Sequence, residues 1–269
     1  MQTIKQRNLV IDLGNGLKTS AQLTLPAVGN GPFSGVLLID GSGAADKNET
    51  LGYVHKNGPK PPTPFWQIAQ YLSERGFAVL RYDKRGVGTN LTILDSNVWG
   101  NATFNDLKDD SERALAVLVQ QPEVDPNTVT ILGHSEGSMI APRVAIDNPT
   151  KVKNIVLMAA TAQNESEILY FQIVNLPLYA EKVLDHNDDG LLSVSEATKN
   201  PVFSSMVGNL TMVLKQNITS GTNVTTITQQ LNPQYNTNKD VYISLNNELK
   251  PKLVKFFQSF FVVTPGKNV

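Results

Sequence analysis

The sequence predicts an α/β architecture: a mostly parallel, doubly wound sheet, followed by a largely helical insertion. Three observations lead there. Short, nearly continuous apolar runs recur at Gly35–Asp40, Phe77–Tyr82, Val129–Gly133 and Ile155–Met158, the pattern of strands buried on both faces of a parallel sheet. Helical patterns separate them at Pro64–Arg75, Phe104–Gln121 and Ser135–Asp147, and such βα alternation implies right-handed crossovers with ligands beyond the carboxyl ends of the strands. After Ala160 the alternation stops, and no comparable apolar strand returns until Phe260-Phe261-Val262-Val263.

The chain opens differently. Asn8–Leu13 and Thr19–Leu25 alternate apolar and polar residues and are joined through Gly14-Asn15-Gly16, where positive φ suits a tight antiparallel hairpin. Residues 1–160 therefore read as the N-terminal part of the core, 161–261 as an inserted cap over the carboxyl edge of the sheet, and 262–269 as the start of a return to the core. On this reading the core is short of strands at its C-terminal side, as in a fragment of a longer protein.

Composition narrows the function. The 269 residues are 41% hydrophobic and 17% charged with a formal net charge of −1, which suits a globular core and gives no basic surface for nucleic acid. No apolar run is long enough to span a bilayer, and the polar stretch Gln2–Asn8 does not resemble a signal peptide. With no cysteine, disulfides, thiol catalysis and zinc–thiolate sites are excluded. Asn-x-Ser/Thr sequons begin at Asn48, Asn90, Asn101, Asn164, Asn209, Asn217 and Asn223. They would suit an extracellular or cell-surface protein, although chance would supply about half of them in so Asn/Thr-rich a chain.

Gly133-His134-Ser135-Glu136-Gly137 lies between a predicted buried strand and a predicted helix, the setting of a nucleophile elbow. The serine must sit on a strained turn with its hydroxyl exposed, and the flanking glycines let strand and helix pass without a Cβ clash. Ser135 is thus the candidate nucleophile. Asp40-Gly41-Ser42-Gly43 ends an earlier strand, and its small residues leave amides free to face a reacting carbonyl. The candidate oxyanion donors are the amides of Glu136 and Ser42, with Gly43 as a near alternative.

Gly41-Ser42-Gly43, Arg81-Tyr82-Asp83-Lys84-Arg85-Gly86-Val87-Gly88 and the elbow, in this order and spacing, resemble the α/β-hydrolase superfamily over about residues 20–160. The branch they are most similar to is the serine aminopeptidase-like and lysophospholipase-like esterases. The resemblance implies an α/β-hydrolase fold and hydrolysis through an acyl-serine intermediate. Its implied substrates are small-molecule esters, acyl lipids or small peptides, with no cofactor for catalysis. It also implies an acid and a histidine after the cap, in the chain order Ser, Asp or Glu, His. Asp40 departs from the family, which usually has His before that glycine. Within the Arg81–Gly88 segment, Arg85 and Asp83 are expected to pair with each other and fix the loop.

The three histidines are His55, His134 and His186, and none follows the nucleophile in the expected place. As given, the chain is therefore expected to be inactive, with the general base and acid supplied by sequence beyond it. The other class of function in view is a non-catalytic calcium-binding or surface-binding protein on a hydrolase scaffold.

Asp185-His186-Asn187-Asp188-Asp189-Gly190-Leu191-Leu192-Ser193-Val194-Ser195-Glu196 fills every fixed position of a twelve-residue EF-hand loop. Asp185, Asn187, Asp189, the Leu191 carbonyl, Ser193 and bidentate Glu196 would give Ca²⁺ its hard oxygen ligands, and Gly190 would make the turn. Pro201 limits the exiting helix to little more than one turn. A lone site of this kind in a cap suits a structural ion.

Overall fold

A computed structural model describes residues 3–51, 60–160, 162–176, 178–179, 191–193, 242–244, 250–251 and 254. His55, His186 and the rest of the 185–196 loop apart from 191–193 lie outside the described residues. The chain divides into two compact units, Met1–Ala162 and Gln163–Val269.

In the first unit, β1 (Ile4–Gly14) and β2 (Leu17–Pro26) form the expected hairpin. Asn15 and Gly16 both have positive φ, 52° and 78°, the two-residue turn whose twist matches that of the flanking strands. Next come β3 (Phe33–Ile39), α1 (Pro64–Ser73) and β4 (Phe77–Tyr82). Two short strands, β5 (Val87–Gly88) and β6 (Thr92–Ile93), and a helical turn, α2 (Ser96–Gly100), fill the stretch before α3 (Phe104–Val119). Then follow β7 (Val124–His134), α4 (Glu136–Asp147) and β8 (Val152–Met158).

The sheet order is β1-β2-β4-β3-β7-β8, parallel among β3, β4, β7 and β8 and antiparallel at the β1–β2 end. Successive residues of β3 serve opposite faces, as a period of two requires. Val36 and Leu38 pack with Phe65 and Ala69 of α1, whereas Leu37 and Ile39 belong to the larger core with Leu115 and Leu118 of α3 and Ile140 of α4. From β3 the chain crosses to β4 on one side, and from β7 to β8 on the other. The carboxyl ends of β3 and β7 therefore flank the topological switch point, where open α/β sheets place their ligands.

Local chemistry explains the helix starts. Pro64 opens α1 with the fixed φ of a first helical residue. At α3, Thr103 Oγ1 accepts from the Asp106 amide at 3.2 Å while Asp106 Oδ2 accepts from the Thr103 amide at 2.8 Å, a complete capping box.

The expectation that Arg85 and Asp83 pair is corrected. Arg85 forks onto Asp110 of α3 with two bonds of 2.7 Å and meets Asp106 at 3.0 Å, while Asp83 pairs with Lys47 at 3.1 Å. Burial decides this: the Asp110 carboxylate, only 3% exposed, needs a fork of donors. Among the sequons, Asn48 has its side-chain oxygen held by Arg81.

In the second unit, α5 (Glu165–Tyr170) begins at Asn164, whose side chain caps the Glu167 amide, and runs into a π-helical turn at Phe171–Asn175. Two short strands, β9 (Leu191–Ser193) and β10 (Tyr242–Ser244), pair antiparallel. Among the described residues, no helix is long and apolar enough to cross a membrane.

Candidate active site

Ser135 stands between β7 and α4 at φ 51° and ψ −114°, a conformation that costs a non-glycine residue about 1–3 kcal/mol. Its surroundings hold it there. The Ser135 amide donates to the Met158 carbonyl at the end of β8 at 3.0 Å. Its carbonyl accepts from the Ser138 amide at 2.9 Å and the Ser138 hydroxyl at 2.5 Å. The side chain is part-exposed, and its Oγ has no hydrogen-bond partner among the described residues.

The two glycines of the elbow have measurable reasons. A Cβ on Gly133 would collide with the Gly137 carbonyl and lie 2.8 Å from the Ser138 nitrogen. One on Gly137 would strike the Ile39 carbonyl and lie 2.7 Å from the Asp40 carbonyl oxygen. Gly137 is thus where α4 presses on the end of β3, bringing the Asp40–Gly43 loop to Ser135. On Gly41, a Cβ would sit 3.2 Å from the Ser135 Cβ.

Two side chains hold that loop. Glu49 Oε1 accepts from the Gly41 amide at 3.0 Å and bonds His134 Nδ1 at 2.6 Å. Lys84 Nζ donates to the Gly41 carbonyl at 2.6 Å and to Glu136 Oε2 at 2.9 Å, and lies 3.5 Å from Asp40 Oδ1. With its amide already taken, Gly41 is no oxyanion donor. The amides of Ser42, Gly43 and Glu136 have no partner among the described residues.

Asp40 is fully buried, and its Oδ2 has no hydrogen-bond partner among the described residues. Burial is the main cause that pushes its carboxyl up to about 7; the negative neighbours Glu49 and Glu136 add to this, and Lys84 opposes it. Two carboxylates, Asp40 and Glu136, share the Lys84 ammonium. Lys84 is likewise desolvated, yet its two acidic neighbours raise it above the usual lysine value, and it stays charged.

The sequence motifs therefore place Ser135, Glu136 and Gly41-Ser42-Gly43 together. They did not reveal Glu49 or Lys84. Only sheet order exposes Lys84: the register that sets Val36 beside Val79 and Leu37 beside Leu80, continued past both strand ends, sets Gly41 beside Lys84. Glu49 carries one mark, a positive φ of 50°, that no sequence pattern signals. Of the calcium-loop candidates, Leu191 and Ser193 lie in β9, and Asp185, Asn187, Asp189 and Glu196 are outside the described residues.

A parallel sheet that puts a strained serine at the switch point, beneath a glycine loop with free amides, defines the α/β-hydrolase fold. The chain belongs to the serine aminopeptidase S33 family, whose pattern matches residues 64–229. It is 34% identical over 177 residues to the esterase EstD of Thermotoga maritima, covering 64% of this chain and 38% of that protein's length. Among solved structures, a bacterial heroin esterase is similar with a TM-score of 0.45 and 21% identity, covering 64% of this chain and 50% of that one. A hypothetical protein from Pseudomonas aeruginosa gives a TM-score of 0.48 and 19% identity, covering 70% and 55%.

Proposed function

We propose that this chain supplies the nucleophile and oxyanion hole of a serine esterase acting on small carboxylic esters. The observation that carries this reading is Ser135 itself: a part-exposed hydroxyl held at positive φ at the switch point, against a loop with free amides. Ser135 Oγ attacks the ester carbonyl carbon and gives its proton to a general base. The carbonyl oxygen becomes an oxyanion held by the Glu136 and Ser42 amides, with Gly43 as the near alternative. The C–O bond to the alcohol breaks, the alcohol leaves with that proton, and water then releases the acid from acyl-Ser135 by the reverse path.

The base and its acid belong, in this proposal, to sequence beyond the chain. Among the described residues β8 is an edge strand, with Ile155, Val156 and Leu157 40%, 44% and 41% exposed, and a strand of this type is normally covered on both faces. Residues 161–261 act as the cap that selects the substrate, with acyl lipids and small peptides as the wider candidates. The test uses protein made from the complete coding sequence. It should hydrolyse p-nitrophenyl acetate, and Ser135→Ala should abolish turnover without loss of folding. A folded protein with no turnover on any short acyl ester favours instead a non-catalytic calcium-binding or surface-binding role.

The loop 185–196 is proposed to hold a structural Ca²⁺, because its donors are all hard oxygens at EF-hand spacing. At a hundredfold excess over Kd, such binding adds about 2.7 kcal/mol to the stability of the folded state. Thermal melts with EGTA and with millimolar calcium should differ in wild type and converge in Glu196→Gln; an unchanged wild-type melt contradicts the role. An extracellular setting, where such loops find millimolar calcium, fits the sequons but is carried by the sequence alone.

A further inference from the structure

We infer that Lys84 is a positioning residue that sets both halves of the oxyanion hole at once; this deepens the esterase reading and rests on it. The link between Lys84 and the first donor is the peptide bond joining Gly41 to Ser42. It is planar and trans, so the Gly41 carbonyl and the Ser42 N–H lie in one rigid plane and point in opposite directions. Lys84 Nζ holds that carbonyl at 2.6 Å, and by holding it aims the Ser42 N–H away from itself. Glu49 fixes the preceding plane through the Gly41 amide, so neither plane flanking Gly41 is free to rotate. The same ammonium reaches Glu136 Oε2 at 2.9 Å, and the Glu136 backbone amide is the other proposed donor. One side chain, 6% exposed, thus ties together two chain segments that are distant in sequence and that must present their amides to one oxygen.

Lys84 touches no substrate atom in this account, so its loss should appear in the chemical step. In protein from the complete coding sequence, Lys84→Met should lower kcat on p-nitrophenyl acetate about a hundredfold, the scale of losing one oxyanion donor, with KM little changed. The single variant leaves buried Asp40 beside no cation, so Lys84→Met/Asp40→Asn is measured alongside it as a variant without that orphan charge. A thermal melt confirms that the variants are folded. Unchanged kcat in either folded variant, or loss spread equally into KM, overturns the inference while leaving the esterase reading in place. Wild-type inactivity overturns both.

Discussion

Gly137 shows how much of the site depends on the absence of a single atom. Alanine is favoured over glycine in a helix by about 1 kcal/mol, so propensity alone makes Gly137→Ala stabilising. The added Cβ, however, meets two backbone carbonyls at the end of β3, and backbone cannot swing aside as a side-chain tip can. Overpacking of this kind costs about 1–3 kcal/mol or more, and the expected net result is destabilisation in urea melts together with a displaced 40–43 loop. The motif made this glycine legible in the sequence, because its spacing from Ser135 is fixed. Asp40 was legible only as a departure. Its carboxyl, raised mainly by burial from an ordinary value of 3.8 to about 7, binds a proton more tightly folded than unfolded. The folded state is therefore penalised above about pH 7 and relieved as pH falls toward about 4. Relative to Asp40→Asn, the wild type should gain stability on acidification through that window and run parallel above it. A constant difference from pH 4 to 8 contradicts the assignment.

Among the elements, strands β3, β4 and β7 and helices α1, α3 and α4 were readable because each is buried in a way that leaves a period in the sequence: continuous for parallel strands, about 3.6 residues for helices packed on one face; β8 carries the same apolar run although most of it is exposed among the described residues. β5, β6 and α2 left no such trace, being only two to five residues long, with β5 buried and β6 exposed and Asp95 capping α2 as the local cue. Side-chain pairing was less legible still. Arg85 sits next but one to Asp83 in sequence, yet it reaches the loop-facing side of α3, because β4 and α3 lie on the same core while Asp83 turns toward Lys47. Arg85→Leu should leave Asp110 buried without its fork and cost about 3–5 kcal/mol in chemical unfolding. The loss should shrink in acid, where burial already favours a protonated Asp110. Arg85→Leu/Asp110→Leu should recover much of it; a double variant as unstable as the single one would show that the pair was not the cause.

At the scale of the whole molecule, a sheet whose winding reverses between β3 and β7 carries a serine placed at that reversal. The winding could be anticipated from the order of apolar runs, and the position of Ser135 from the glycines around it. What could not be anticipated is the network beneath, since Glu49, Lys84 and Asp40 meet only through strand register and loop closure, and neither leaves a local sequence pattern. The most direct measurement of the central claim is covalent. Protein from the complete coding sequence is treated with a fluorophosphonate and mapped by peptide mass spectrometry. The account expects one adduct per chain, on Ser135, formed far faster than at any other hydroxyl and lost on denaturation before labelling. A folded protein that stays unlabelled, or one labelled on another residue and equally so in Ser135→Ala, would contradict it.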